Sequence, residues 1–231
     1  MKKTRFLFVA IITLAFQLVS AQKEAKPARE VFDLYFNSWV KNDATAQKAL
    51  NDYQRPTVEG QDMYQFDPSL MSENDNAMVD NFLSMFSKAT ASANKAETKA
   101  YFDAMLHNFR NPVYKLKSVK MVDNEYVENQ KIAHYVYDVT FKVPEQLNDE
   151  EKKQFDFKNP KTVKPELLKK LLVTMTDKLK NASRTITTEQ EFDLYAGEQD
   201  GKTYYYNGDP SALVTNLTDF YFDNVNISGQ Q

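Results

Sequence analysis

The sequence predicts an α+β domain in which N-terminal helices pack on a curved antiparallel sheet of two hairpins, with a helical insertion between the hairpins. Two observations predict it. Apolar residues recur at helical spacing between Val31 and Phe109, and the period then changes to two between Ile132 and Val143. A second strand-like region, from Thr185 to Tyr206, is interrupted only by a turn rich in Gly, Asp and Glu.

Val31, Phe32, Leu34, Tyr35, Phe36, Trp39 and Val40 define an amphipathic first helix beginning near Pro27. Asn42-Asp43 ends it and caps a shorter second helix that carries Ala46, Ala49 and Leu50. From Tyr53 to Ser72 no clean period survives two prolines and a glycine, so a long irregular segment tied down by its own side chains is expected. Two further helices follow, one marked by Met78, Val79, Phe82, Leu83 and Phe86, the next by Tyr101, Phe102, Met105, Leu106 and Phe109. Ala89 to Asn94 reads as the linker between them, and Asn111-Pro112 stops the helical run.

Ala133, Tyr135, Tyr137, Val139, Phe141 and Val143 alternate with Ile132, His134, Asp138, Thr140 and Lys142, which is the pattern of a strand with one buried face. Val113 to Val122 precedes it as the other arm of a hairpin, across Asp123-Asn124. The second hairpin joins Thr185–Tyr195 to Lys202–Tyr206 through Gly197 to Gly201, where Gly and Asp tolerate positive φ. Between the hairpins, the insertion 144–181 ends in a helix that Pro165 is placed to start, with Leu167, Leu168, Leu171, Leu172, Met175 and Leu179 as its apolar face. The tail carries two signals: Asp209-Pro210 suits a helix start, while Phe220, Phe222 and Ile227 suit a strand. Tyr204, Tyr205, Tyr206, Phe220, Tyr221 and Phe222 are expected in the core.

The first 21 residues have the three parts of a secretory leader: Lys2, Lys3 and Arg5, then the apolar run Phe6 to Phe16, then the small-residue cut site Val19-Ser20-Ala21. The run falls short of the roughly 20 apolar residues that a membrane span needs, and no other run approaches that length. Residues 22–231 are therefore expected as one exported, periplasmic or secreted domain without a transmembrane span. With no cysteine in the chain, disulfides, lipid attachment at a leader cysteine and thiolate chemistry are all excluded. The formal net charge is -3, and loss of the three leader cations brings it to -6, which gives no reason to expect a nucleic-acid partner.

Catalytic motifs are sparse. There is no G-x-S-x-G, phosphate-binding glycine loop or H-E-x-x-H, and Ser92-Ala93-Asn94-Lys95 lacks the downstream K-T-G that an S-x-x-K serine enzyme needs. The chain has two histidines, too few for a histidine metal site, and neither metal nor cofactor is expected. His134 shares a strand face with Asp138, and Glu189 and Glu191 join that face if the hairpins pair. His134 and Asp138 are thus the acid/base candidates. Residues 152–180 carry nine lysines against Asp156, Glu166 and Asp177. Lys164, Lys169, Lys170, Lys178 and Lys180 on the insertion helix are candidates for contact with an anionic surface, which makes peripheral membrane contact the third option. The competing expectation is that the leucine face packs on the sheet and that the acidic hairpin Thr185–Gly201 compensates the lysines.

Helices followed by an antiparallel meander with one apolar face resemble, in the order of elements, the NTF2-like and cystatin-like exported domains. That resemblance implies a cone with a pocket between helices and sheet. Ligand binding or assembly is commoner in that superfamily than catalysis, where its enzymes use a His/Asp pair. Three functions are therefore expected, in this order: a non-enzymatic exported domain binding a small molecule or an envelope protein, a small-molecule enzyme using His134 and Asp138, and a peripheral anionic-surface binder.

Overall fold

The computed structural model describes residues 23–155 and 157–225, so the leader expected over 1–21 and Ile227 of the tail lie outside the described residues. Helices α1 (Ala28–Trp39), α2 (Ala44–Gln54), α3 (Pro68–Ser84), α4 (Lys88–Ala93) and α5 (Lys95–Phe109) come first, after the two-residue strand β1 (Lys23–Glu24). Strands β2 (Val113–Asp123) and β3 (Lys131–Val143) form the first hairpin. Helices α6 (Asp149–Gln154) and α7 (Pro165–Lys180) occupy the insertion, and β4 (Arg184–Gln199), β5 (Lys202–Tyr206) and α8 (Ala212–Val225) complete the chain. The α+β class is as expected. The sheet order is β1-β5-β4-β3-β2, antiparallel except for the parallel pairing of β1 on β5.

Local chemistry fixes most of these boundaries. Asp43 caps α2 through the Ala46 N–H at 2.8 Å, and Ser87 caps α4 through Thr90. Asn148 and Glu151 close a capping box on α6. The second hairpin turns on Asp200 and Gly201, both at positive φ (50° and 70°), between the paired residues Gln199 and Lys202. Those are the angles of a two-residue turn whose twist matches the flanking strands.

Three expectations are corrected, and one open reading is decided. The irregular segment is shorter than 53–72: α2 runs on to Gln54, a 3-10 turn covers Arg55–Thr57, and α3 starts at Pro68 under an Asp67 cap. Its first turns carry only the adjacent pair Leu70-Met71 among polar residues (Ser69, Ser72, Glu73, Asn74, Asp75), so no apolar period is repeated before Ala77 and Met78. The linker Ala89–Asn94 is itself largely helical, as α4. The tail resolves in favour of the Asp209-Pro210 start, since Leu213, Leu217, Tyr221 and Val225 recur every fourth residue and are all buried. Finally, α7 packs on α4 and α5, not on the sheet. Its Leu168 and Leu172 close a separate apolar cluster with Phe86 and Val163, and only Leu179 joins the main core.

The main core lies between α1 and the sheet and is built from aromatic rings. Phe32 stacks on Tyr135 with centroids 4.6 Å apart and an 11° interplanar angle, and meets Tyr137 edge-on at 4.9 Å. Phe109 stacks on Phe141 at 5.8 Å, and Tyr221 packs against both. Tyr204 and Tyr205 are buried as well. Such rings each bury a large area and prefer these offset and edge geometries. These rings pack α1 and α8 on β3 and β4.

The irregular segment is indeed tied down from within. Asn51 donates to the Tyr64 carbonyl at 2.8 Å and accepts from its N–H at 3.0 Å. The Tyr64 and Tyr35 hydroxyls lie 2.6 Å apart, and the Asn207 N–H donates to Tyr35 at 2.9 Å. Gln54 donates to the Tyr205 carbonyl at 2.7 Å. Buried polar groups are satisfied only as a complete set here, which fixes α1, α2, the segment and β5 to one another.

Candidate functional site

The sheet has an inner face toward the helices and an outer face without them. His134, Asp138, Glu189 and Glu191 lie together on the outer face, as the alternation predicts, and the register sets His134 against Asp193 and Asp138 against Glu189. His134 Nδ1 is 2.8 Å from Asp193 Oδ1, with Glu191 Oε2 at 4.0 Å from Nε2. Asp138 instead pairs with Lys117, whose Nζ lies 3.7 Å away and which also binds Glu189. Four residues along a strand separate His134 from Asp138 by about 13 Å. The expected acid/base pair is therefore split between two separate cross-strand contacts, His134 with Asp193 and Asp138 with Lys117, each partly open to solvent.

The lysines of α7 are compensated from other elements than expected. Lys169 Nζ lies 2.6 Å from Glu97 on α5, and Lys178 Nζ lies 3.1 Å from Glu151 on α6; neither reaches the hairpin Thr185–Gly201. The Lys169 bond holds the Glu97 carboxyl below the usual carboxylate range. Lys164, Lys170 and Lys180 are exposed, with no ion pair among the described residues. At about 100° per residue, Lys169, Lys170 and Lys180 fall within one third of the helix circumference, whereas Lys178 points elsewhere. The five candidates do not form one stripe.

Two other places stand out. The first is an open cleft of about 310 Å³ where the start of α2 meets α3 and α5. Phe66, Pro68 and Ala44 form its apolar wall, and Asn42, Gln47 and Asn76 contribute amides. Two ion pairs complete it: Arg110 with Asp75 at 3.1–3.3 Å, and Lys99 with Asp103 at 2.7–2.8 Å. Arg110 and Asp75 are 35 positions apart, so no sequence pattern announces their meeting.

The second is the β2–β3 hairpin. Val119, Met121, Val122, Tyr126 and Val127 are 40–93% exposed, which makes five of the eight exposed large apolar side chains among the described residues. Val119 and Met121 sit opposite Tyr135 and Ala133, on the inner face. Tyr135 and Ala133 are wholly buried, so at this end of the sheet cover by the rest of the chain stops between β3 and β2, whereas Tyr114 and Leu116 at the start of β2 still pack on the core. A bulge between Leu116 and Ser118 shifts the alternation and turns Val119 and Met121 inward, so neither their face nor the extent of the cover is readable from the twofold period.

Among the described residues no group of three or more His, Asp or Glu is placed to hold a metal ion, and no helix is long and apolar enough to cross a membrane. No protein-family model, curated protein or solved structure matches this chain, and the likeness to NTF2-like domains rests on the order of elements alone.

Proposed function

We propose that this is an exported, non-enzymatic protein of the cell envelope that binds a partner protein through its β2–β3 hairpin. The observation that carries this reading is the exposed apolar end of the hairpin: Val119 and Met121 on the inner face of β2, Val122 on its other face, and Tyr126 and Val127 in the connection to β3. Apolar side chains scattered singly over a surface need no explanation, but five within nine consecutive residues form the kind of patch that marks an interface. Tyr126, 93% exposed, is the type of side chain that anchors such interfaces. Export follows from the leader-like segment Lys2 to Ala21. The aromatic packing between α1 and the sheet supports a role carried on the outside of the fold.

The test compares wild type with the double variant Met121→Ser/Tyr126→Ser by crosslinking in the native compartment, with Val173→Ser on α7 as the control. All three sites are exposed, so each variant keeps its stability within about 0.5 kcal/mol per site. Loss of two interface anchors is expected to weaken capture of the partner about 30-fold or more, a change of at least about 2 kcal/mol. A partner captured equally by wild type and the double variant would contradict the assignment.

A further inference from the structure

The cleft between α2, α3 and α5 points to a second function, independent of the hairpin. We infer that it binds a neutral, polyhydroxylated small molecule of the sugar class, laid against Phe66 and hydrogen-bonded by the two ion pairs. At about 310 Å³ it is at the small end of the ~300–1,000 Å³ range of small-molecule sites.

Its charges decide the ligand class. Asp75 takes its bonds from Arg110, and Asp103 from Lys99, so the four ionised groups cancel in pairs. An ion entering the cleft finds no uncompensated opposite charge, and binding it requires breaking a pair. A hydroxyl requires no such break. Each is at once donor and acceptor, whereas each paired group keeps unused capacity: further lone pairs on the carboxylates, a third N–H on Lys99, and the Nε–H on Arg110. Hydrogen bonds to ionised groups are the stronger kind, and here the pairing already holds those groups in place. Gln47 is fixed too, donating to the Asn42 side chain at 2.7 Å and to the Ser38 carbonyl at 3.2 Å. Alternating donors and acceptors beside an aromatic ring suit a ring-shaped ligand whose rim is hydroxylated and whose C–H face is apolar.

The site contains its own reporter. Trp39 is the one tryptophan of the chain, and its ring lies 5.2 Å from that of Phe66. The experiment titrates the mature protein separately with glucose, galactose, mannose, N-acetylglucosamine and glycine, each to about 50 mM because a site of this size binds in the millimolar range. Tryptophan fluorescence is followed, with circular dichroism to confirm folding. The expected result is a saturable change with at least one sugar and none with glycine. Asp103→Ala removes an exposed i,i+4 partner and leaves the fold intact; it is expected to weaken that sugar at least tenfold. Phe66→Leu is expected to weaken it similarly while keeping the wall apolar. No saturation with any of the sugars by folded wild-type protein overturns the inference. Saturation by glycine, or a sugar response that both variants leave unchanged, overturns it equally.

Discussion

Raising the pH from about 9 to about 11.5 is expected to unfold this protein in one cooperative step, because its core is held by tyrosines that must stay protonated. Tyr35, Tyr135, Tyr137 and Tyr221 are at most 1% exposed. Burial raises all four phenols well above their ordinary range, and for Tyr35 the neighbouring Tyr64 adds to the shift. Burial also pushes Tyr64 up to about 12. A folded pKa above the unfolded one stabilises the fold fully below about pH 10, and that contribution is lost as pH climbs toward the folded value. Each fully buried phenol then costs about 1.4 kcal/mol per pH unit, so four amount to about 6 kcal/mol by pH 11. That is comparable with the whole stability of an ordinary domain, about 5–15 kcal/mol. Tyrosinate absorbance and far-UV circular dichroism followed against pH should change together. Tyrosines ionising gradually near pH 10 with the dichroism unchanged would mean that the phenols are not buried as described.

The second large effect is expected at Phe32. Its ring lies within 6.2 Å of five other aromatic rings, Phe36, Tyr114, Tyr135, Tyr137 and Phe192, and it is wholly buried. Phe32→Ala removes the centre of that group and leaves a cavity that rings fixed on α1, β2, β3 and β4 cannot jointly fill. The expected loss is about 3–5 kcal/mol, read from urea unfolding as a fall of roughly 2 M in the midpoint. Phe32→Leu, which keeps much of the volume, is expected to lose less. A loss below about 1 kcal/mol for Phe32→Ala would show that α1 does not seal the sheet, since deleting a sealed core ring costs several times that.

How much of this was legible beforehand varied with the physics involved. The switch from helical to twofold period between Phe109 and Ile132 identified the α+β class, because burial of one face imposes those periods directly. Pro165, Asp43 and Gly201 marked boundaries correctly, since caps and turns depend on residues adjacent in the chain. The start of α3 was hidden, because Leu70-Met71 is a single apolar pair followed by five polar residues, and only the Asp67-Pro68 pair signals a helix start. The insertion helix was found but misplaced: a leucine face states that α7 must be covered, not whether by a sheet or by α4 and α5. His134 was correctly set on one face with Asp138, Glu189 and Glu191, yet the cross-strand register decided that its partner is Asp193. The Asp75–Arg110 pair and the bare edge of β2 depend on tertiary placement throughout, and no local pattern carries them.

The measurement to make first is native mass spectrometry of residues 22–231, purified without denaturation. With the interior filled by Phe32, Tyr135, Tyr137, Phe109, Phe141 and Tyr221, and with cleft ligands bound only at millimolar strength, the expected mass is that of the bare polypeptide, alone or with a protein partner. A stoichiometric small molecule that survives purification and leaves on denaturation would contradict this, since it would require an enclosed ligand cavity where the aromatic core is placed.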